Sequence, residues 1–198
     1  LFDIDIALRP DGASGLLVSS LASFEKYQTS TAWEWEHQAL TRARFCAGDT
    51  GIGQRFEAIR EMVLRKPRDA ASLQQSVISM RHKMRDAHPH RGQLFDLKHD
   101  EGGMIDIEFI VQFLVLQHAA QYPQLTADIG NIALLKLSGD LGLIDAKLSS
   151  DVANAYRTFR KLQHQIRLQG MEHAKIAPDL IAHEVAGVKQ LWKACFLL

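Results

Sequence analysis

Little in this sequence points outward to an oxidising compartment, a membrane or a nucleic acid. Only two cysteines occur in 198 residues, Cys46 and Cys195, and they lie far apart. That spacing gives no disulfide framework and suggests reduced thiols in a cytoplasmic protein. Neither sign of charge is in excess, because Lys plus Arg and Asp plus Glu both number 23. Net charge therefore gives no argument for nucleic acid or membrane partners. No hydrophobic run approaches the ~20 residues of a membrane span. The run over 105–116 is too short and is interrupted by Asp106, Glu108 and Gln112. No signal peptide is expected, and these residues hold no internal repeat and no low-complexity tract. What is present is 46% hydrophobic residues, enough to build a core in one large or two small domains.

The chain opens on an alternating stretch. Phe2, Ile4, Ile6 and Leu8 interleave with Asp3, Asp5, Ala7 and Arg9. Successive side chains of a strand point to opposite faces, so one face is apolar and the other carries two carboxylates and a guanidinium. Pro10 has no N–H for a ladder, and the glycine-bearing segment after it turns the chain. Adjacent carboxylates repel one another and become useful beneath a hard cation such as Mg²⁺. The competing reading is a polar strand face in water. No strand partner precedes this stretch, so the sequence is expected to be part of a longer chain, with the rest of the sheet upstream.

Further along, Leu16, Leu17 and Val18 read as a short strand. Ser19 or Ser20 then caps a two-turn helix with Leu21, Phe24 and Tyr27 on one face. Thr29, Ser30 and Thr31 form a second cap signal, before a helix running from Ala32 through Leu40. Glu36 with Arg42 or Arg44 either clamps a phosphate or forms a local ion pair. Residues 48–53 carry three glycines in the wrong order for a dinucleotide loop and read as a linker. Helical periodicity then covers 54–66, which Pro67 stops, and 69–87, whose polar face (Arg81, His82, Lys83, Arg85) is either solvated or turned toward a polyphosphate. His88 and His90 flank Pro89 without metal-ligand spacing, so no zinc is assigned.

Residues 95–109 predict a short strand, a Gly102-Gly103 turn and a long helix to about Gln121. That helix is apolar almost all round and should be the central buried one. Asp106 and Glu108 lie in or near its first turn, where the helix dipole favours negative charge. A buried carboxylate needs a partner, and Arg157, Arg160 and Arg167 are the candidates for Glu108. A shorter helix over 126–141 follows. A long one from Asp151 to about Gln169 is capped by Ser149 or Ser150, and a last one is opened by Pro178. The short connections make a helical bundle. The expected fold is mainly α, with residues 1–50 a strand-containing remnant of an α/β domain and residues 51–198 the bundle.

Several separated motifs resemble glutamine synthetase adenylyltransferase. They are Leu8-Arg9-Pro10-Asp11-Gly12 with Gly15-Leu16-Leu17-Val18, Tyr27-Gln28, the run Ala32-Trp33-Glu34-Trp35-Glu36-His37-Gln38-Ala39-Leu40, Arg42-Ala43-Arg44, and Gly102-Gly103 followed by Asp106-Ile107-Glu108-Phe109. Their order and spacing match that family from residue 1 to about the end. The tryptophan-bearing run is similar to the half of the enzyme that transfers AMP from ATP to a tyrosine of glutamine synthetase. The resemblance implies a nucleotidyltransferase fold up to about residue 50 and, beyond it, a helical domain shared with PII uridylyltransferases.

By the same resemblance, Asp5 stands where the third metal-binding carboxylate is expected. Asp3 falls where the family has Glu or another polar residue, and so has a supporting role. Ala7 replaces a more usual Arg, whose contact is absent here. The family's Gly-Ser turn and Asp-x-Asp pair have no counterpart in these residues and are expected upstream. The implied chemistry is in-line attack of a tyrosine hydroxyl on the α-phosphorus of ATP, with Mg²⁺ as cofactor. Asp5 would bind metal and help the tyrosine lose its proton. Arg9, Arg42, Arg44 and Lys98 are candidates for phosphate or ribose contacts. Glu36, Gly102, Gly103, Asp106 and Glu108 are expected to support the site. The implied partners are glutamine synthetase and the PII signal protein. Two alternatives remain: a regulatory module that binds PII or glutamine synthetase, and a standalone transferase using Asp3 and Asp5 as its own metal pair.

Overall fold

The computed structural model describes residues 15–90 and 92–197. The opening stretch with Asp3, Asp5 and Arg9 lies outside the described residues. Among those described are eight α-helices and one two-stranded ladder, a mainly α fold as expected. The helices are α1 (Leu21–Ser30), α2 (Glu34–Leu40), α3 (Thr50–Leu64), α4 (Ala70–Ala87), α5 (Met104–His118), α6 (Asn131–Asp140), α7 (Ala146–Leu168) and α8 (Ala182–Phe196). The strands β1 (Phe95–Asp96) and β2 (Lys175–Ile176) pair antiparallel, Phe95 opposite Ile176 and Asp96 opposite Lys175.

Short polar side chains begin four of these helices. Ser20, Asp49, Asp69 and Asp145 accept hydrogen bonds from the backbone N–H groups of Ser23, Ile52, Ser72 and Leu148. Each satisfies an N–H that has no partner inside the helix, a contribution of about 1 kcal/mol. Helix α5 is the centre. Eleven of its fifteen residues are buried, so apolar neighbours must surround it, and it packs against α2, α4, α6, α7 and α8. Helices α6 and α7 form a close hairpin. A Cβ on Gly139 would stand 2.8 Å from Ser149 Oγ, so only glycine permits the approach. At the other end α1 and α2 pack onto α3, α4 and α5.

Several boundaries differ from the sequence expectation. Residues 16–18 are irregular and exposed rather than a strand. The glycine-rich segment is not a linker throughout, because the Asp49 cap starts α3 at Thr50 and a Cβ on Gly53 would meet the Phe45 ring at 2.7 Å. The onset of α2 is Glu34 rather than Ala32. Residues 123–126 form a separate 3-10 turn, and α6 starts after Gly130, whose φ is +83°. Asp145, not Ser149 or Ser150, caps α7. Ser149 is buried and donates to the Leu135 carbonyl at 2.8 Å. Pro178 opens a 3-10 turn, and α8 follows from Ala182.

Candidate functional site

Three groups of polar side chains join separate elements of the described residues: two tie the N-terminal helices to the bundle, and one fixes the turn before α5. The first surrounds α2. Glu36 accepts from Tyr27 Oη at 2.7 Å and from the Trp33 backbone N–H at 2.8 Å. One carboxylate thereby holds α1 and closes the start of α2. It pairs with neither Arg42 nor Arg44, so the expected ion pair within this segment is replaced by a local clamp.

Arg42 and Arg44 instead reach the segment that leads into α6. Arg42 Nη1 donates to Asn131 Oδ1 at 3.1 Å, and its Nε lies 3.9 Å from Asp128 Oδ1. Arg44 Nη1 donates to Asp128 Oδ2 at 3.3 Å. Their side chains are 47% and 67% exposed, so part of each guanidinium still faces solvent. Behind Arg42 the polar contacts run inward. Asn131 Nδ2 donates to Tyr156 Oη at 3.1 Å, and Tyr156 Oη donates to Glu108 Oε1 at 2.8 Å. Burial pushes the Tyr156 phenol above its usual pKa, and the Glu108 carboxylate adds to the shift. The partner of Glu108 is thus a tyrosine of α7, not Arg157, Arg160 or Arg167. Those arginines are exposed on α7, while Tyr156 lies on its buried face.

The second group is the turn before α5. Gly102 has φ +89°, and a Cβ there would stand 2.8 Å from Val185 Cγ1 and 3.1 Å from the Val185 carbonyl. A Cβ on Gly103 would stand 2.8 Å from the Leu97 carbonyl. Both glycines are therefore required, one by conformation and both by space. Asp106 Oδ2 accepts from the Gly102 N–H at 2.6 Å, and Oδ1 accepts from Arg81 Nε. Arg81 Nη2 donates to the His99 carbonyl at 2.8 Å. Arg81 is only 1% exposed, which corrects its assignment to a solvated or phosphate-facing surface of α4. Its charge is neutralised by Asp106, and its donors lock the turn. Lys98, on that turn, is exposed; its backbone N–H donates to Asp96 Oδ1 at 2.9 Å. The turn packs on α8, so Lys98 does not join Arg42 and Arg44, which bond the segment before α6.

Beside the turn, the rings of His88 and His99 stack with centroids 4.3 Å apart. His90 Nδ1 lies 2.8 Å from Asp100 Oδ2, and hydrogen bonding to that carboxylate raises the His90 pKa. Burial lowers that of His99. Among the described residues no three His, Cys, Asp or Glu side chains gather as a metal-ligand set.

Two buried arginines that sequence reasoning missed form the third group. Arg60 of α3 donates to the carbonyls of Leu40, Thr41 and Thr126 at 2.8, 3.1 and 3.0 Å. It thereby fixes the exit of α2, just ahead of Arg42. Arg68 donates to Glu34 Oε2 at 3.0 Å and to the carbonyls of Val63, Leu64, Lys66 and Leu116. Burial lowers the Arg68 pKa against the opposing pull of Glu34. The signal for Arg60 was available in its register, since Phe56 and Leu64 lie one turn away on either side.

Comparison with known proteins matches two separate ranges of the chain. Residues 1–59 match the family model of glutamate-ammonia ligase adenylyltransferase, and residues 73–176 match that of PII-uridylyltransferase. The first range holds Glu36, Arg42 and Arg44; the second holds Arg81, Lys98, Asp106 and Glu108. A bifunctional glutamine synthetase adenylyltransferase/adenylyl-removing enzyme of Aromatoleum aromaticum is 55% identical over 99% of this chain and 21% of its own length. Enzymes of the same name from Bordetella bronchiseptica and Ralstonia nicotianae are 53% and 54% identical, over 98% and 99% of the chain and 20% and 21% of their own lengths. Identity at this level over nearly every residue, with the two family models in this order, makes the chain a member of the bifunctional glutamine synthetase adenylyltransferase family, of whose curated members it spans about a fifth.

Proposed function

We propose that this chain contributes the trailing part of the active site, and the helical support behind it, to an enzyme that transfers AMP from ATP to a tyrosine of glutamine synthetase. The observation that carries the reading is the contrast among its arginines. Arg42 and Arg44, inside the range matched by the adenylyltransferase model, keep guanidinium surface in solvent, while Arg60 spends its donors holding the backbone that leads to them. An exposed guanidinium fork fits a phosphate or ribose oxygen. Arg9 is a further candidate for such a contact, whereas Lys98, on the turn packed against α8, is not.

The carboxylates of Asp5 and, in a supporting role, Asp3 are hard oxygen donors suited to Mg²⁺, which supplies electrostatic stabilisation at the transferring phosphorus. Asp5 also serves as the group toward which the attacking tyrosine releases its proton. A cytoplasmic setting fits this chemistry. The 198 residues alone are expected not to turn over, since the Asp-x-Asp pair that the family resemblance calls for has no counterpart in them.

The test is an adenylylation assay with glutamine synthetase, ATP and Mg²⁺. A form extended upstream of Leu1 to the length of its relatives should incorporate AMP, and Asp5→Asn should abolish this. Arg42→Ala and Arg44→Ala should raise the KM for ATP. Unchanged kinetics in both arginine variants would remove them from the nucleotide site, and adenylylation by the 198-residue chain alone would refute the division of labour. A second reading is favoured by the match of residues 73–176 to the PII-uridylyltransferase model. In it the bundle binds PII or glutamine synthetase directly. Calorimetric titration of the chain against each protein separates the two readings, and no heat with either counts against the second.

A further inference from the structure

A concave site lies between α4 and α8 and shares no residue with the region of Arg42 and Arg44. It is a cavity of about 240 Å³. Its rim is basic from both sides. Arg85 and His82 come from α4, and Lys189 and Lys193, one helical turn apart, come from α8. Trp192 supplies a flat apolar wall, fixed by a ring contact with Phe196 at 4.3 Å, which itself rests on Phe113 at 4.8 Å. Arg81 and Asp106 also line the cavity.

The charges do not balance. Two carboxylates line the cavity, and both are engaged: Asp106 by Arg81 and the Gly102 N–H, and Glu101 by Arg85 at 3.0 Å. Four permanent cations (Arg81, Arg85, Lys189 and Lys193) face these two anions, leaving a surplus of two positive charges before His82 is counted. Lys189 is half-buried and Lys193 exposed. Like charges converging on a recess raise its potential and concentrate anions there. Small-molecule sites combine apolar walls with a few convergent polar groups, and this volume is at the small end of that range.

We propose that this cavity binds a small organic dianion, with carboxylate or phosphate groups held by Lys189 and Lys193 and a short carbon body against Trp192. The occupant would sit on the Arg81–Asp106 pair and beside Gly102, whose turn already packs against Val185 and Lys189. Binding would thereby draw α8 onto the turn that starts the central helix.

Succinate and glycerol 2-phosphate serve as probes of the two anion types. Each is titrated into the 198-residue chain at constant ionic strength while the indole N–H resonance of Trp192, assigned with Trp192→Phe, is followed. A saturable shift is expected with at least one probe and none with succinamide or glycerol, their neutral counterparts. Lys189→Gln and Lys193→Gln should each weaken binding by about tenfold or more, the effect of losing one charge-assisted contact. Lys147→Gln, on the exposed face of α7, should leave it unchanged. A linear, unsaturable response to both probes, or affinity in both α8 variants equal to that of the unsubstituted chain with their circular dichroism intact, would overturn the proposal.

Discussion

Arg81 and Arg44 each face one aspartate, yet the two pairs do different work. Arg81 and Asp106 are 2% and 4% exposed at their side chains, and Asp106 also holds the Gly102 N–H. Neither charge can be removed without stranding the other in the core. Arg44 stands mostly in water, and solvent can replace its contact with Asp128. Burial decides the role. An arginine whose donors are consumed by backbone and carboxylate is a fastener, while one whose fork remains half free can serve a ligand.

That distinction can be broken at several strengths. Arg81→Ala, or Asp106→Ala, should lower the unfolding free energy by about 3–5 kcal/mol, the usual consequence of an uncompensated buried charge. Urea unfolding measures it, and a loss below about 1 kcal/mol would mean that the turn does not depend on the pair. Gly102→Ala should cost about 1–3 kcal/mol, because it forces a Cβ into a positive-φ position against Val185. Tyr156→Phe should cost about 1 kcal/mol by removing the link between Asn131 and Glu108. Arg44→Ala should leave the melting temperature unchanged. A clear fall in that temperature would place Arg44 with the fasteners.

The smallest effects lie in the histidine cluster, where the two shifts have opposite signs. Asp100 raises the His90 pKa, so its pairing contributes stability below the ordinary histidine range and loses it as pH rises through the raised value. Burial lowers the His99 pKa, so the folded state resists that proton and stability falls as pH drops below the ordinary range. Proton-detected titration should find His90 protonating at higher pH than His99, and the reverse order would contradict the Asp100 contact.

The sequence made the helices legible where period and cap agreed. Val77 follows Leu73 by one turn, Asp69 precedes them, and α4 has the expected extent. The Gly102-Gly103 turn and the central burial of α5 were equally readable, because an all-apolar helix has nowhere else to go. Arg81 was hidden by its neighbours. His82, Lys83 and Arg85 made a polar run of it, although Arg81 continues the Leu73–Val77 row by one further turn and so belongs to the buried face. Asp106 lies 25 residues from Arg81, and no local pattern signals such a pair. Strand β2 was invisible because two residues cannot show alternation. The α6 and α7 onsets were displaced because several Ser, Thr and Asp residues competed as caps, and only packing chose among them.

The ladder between β1 and β2 also bears on how the chain reaches this structure. Pairing Phe95 with Ile176, and the Leu97 N–H with the Ala174 carbonyl at 3.0 Å, closes a loop that contains α5, α6 and α7. Closing so long a loop costs entropy before any contact rewards it, whereas the α6–α7 hairpin forms from neighbours. The ladder should therefore belong to the downhill side of the folding barrier, tightening after the hairpin and α5 have docked. Substitutions in it would speed unfolding and leave refolding rates nearly untouched.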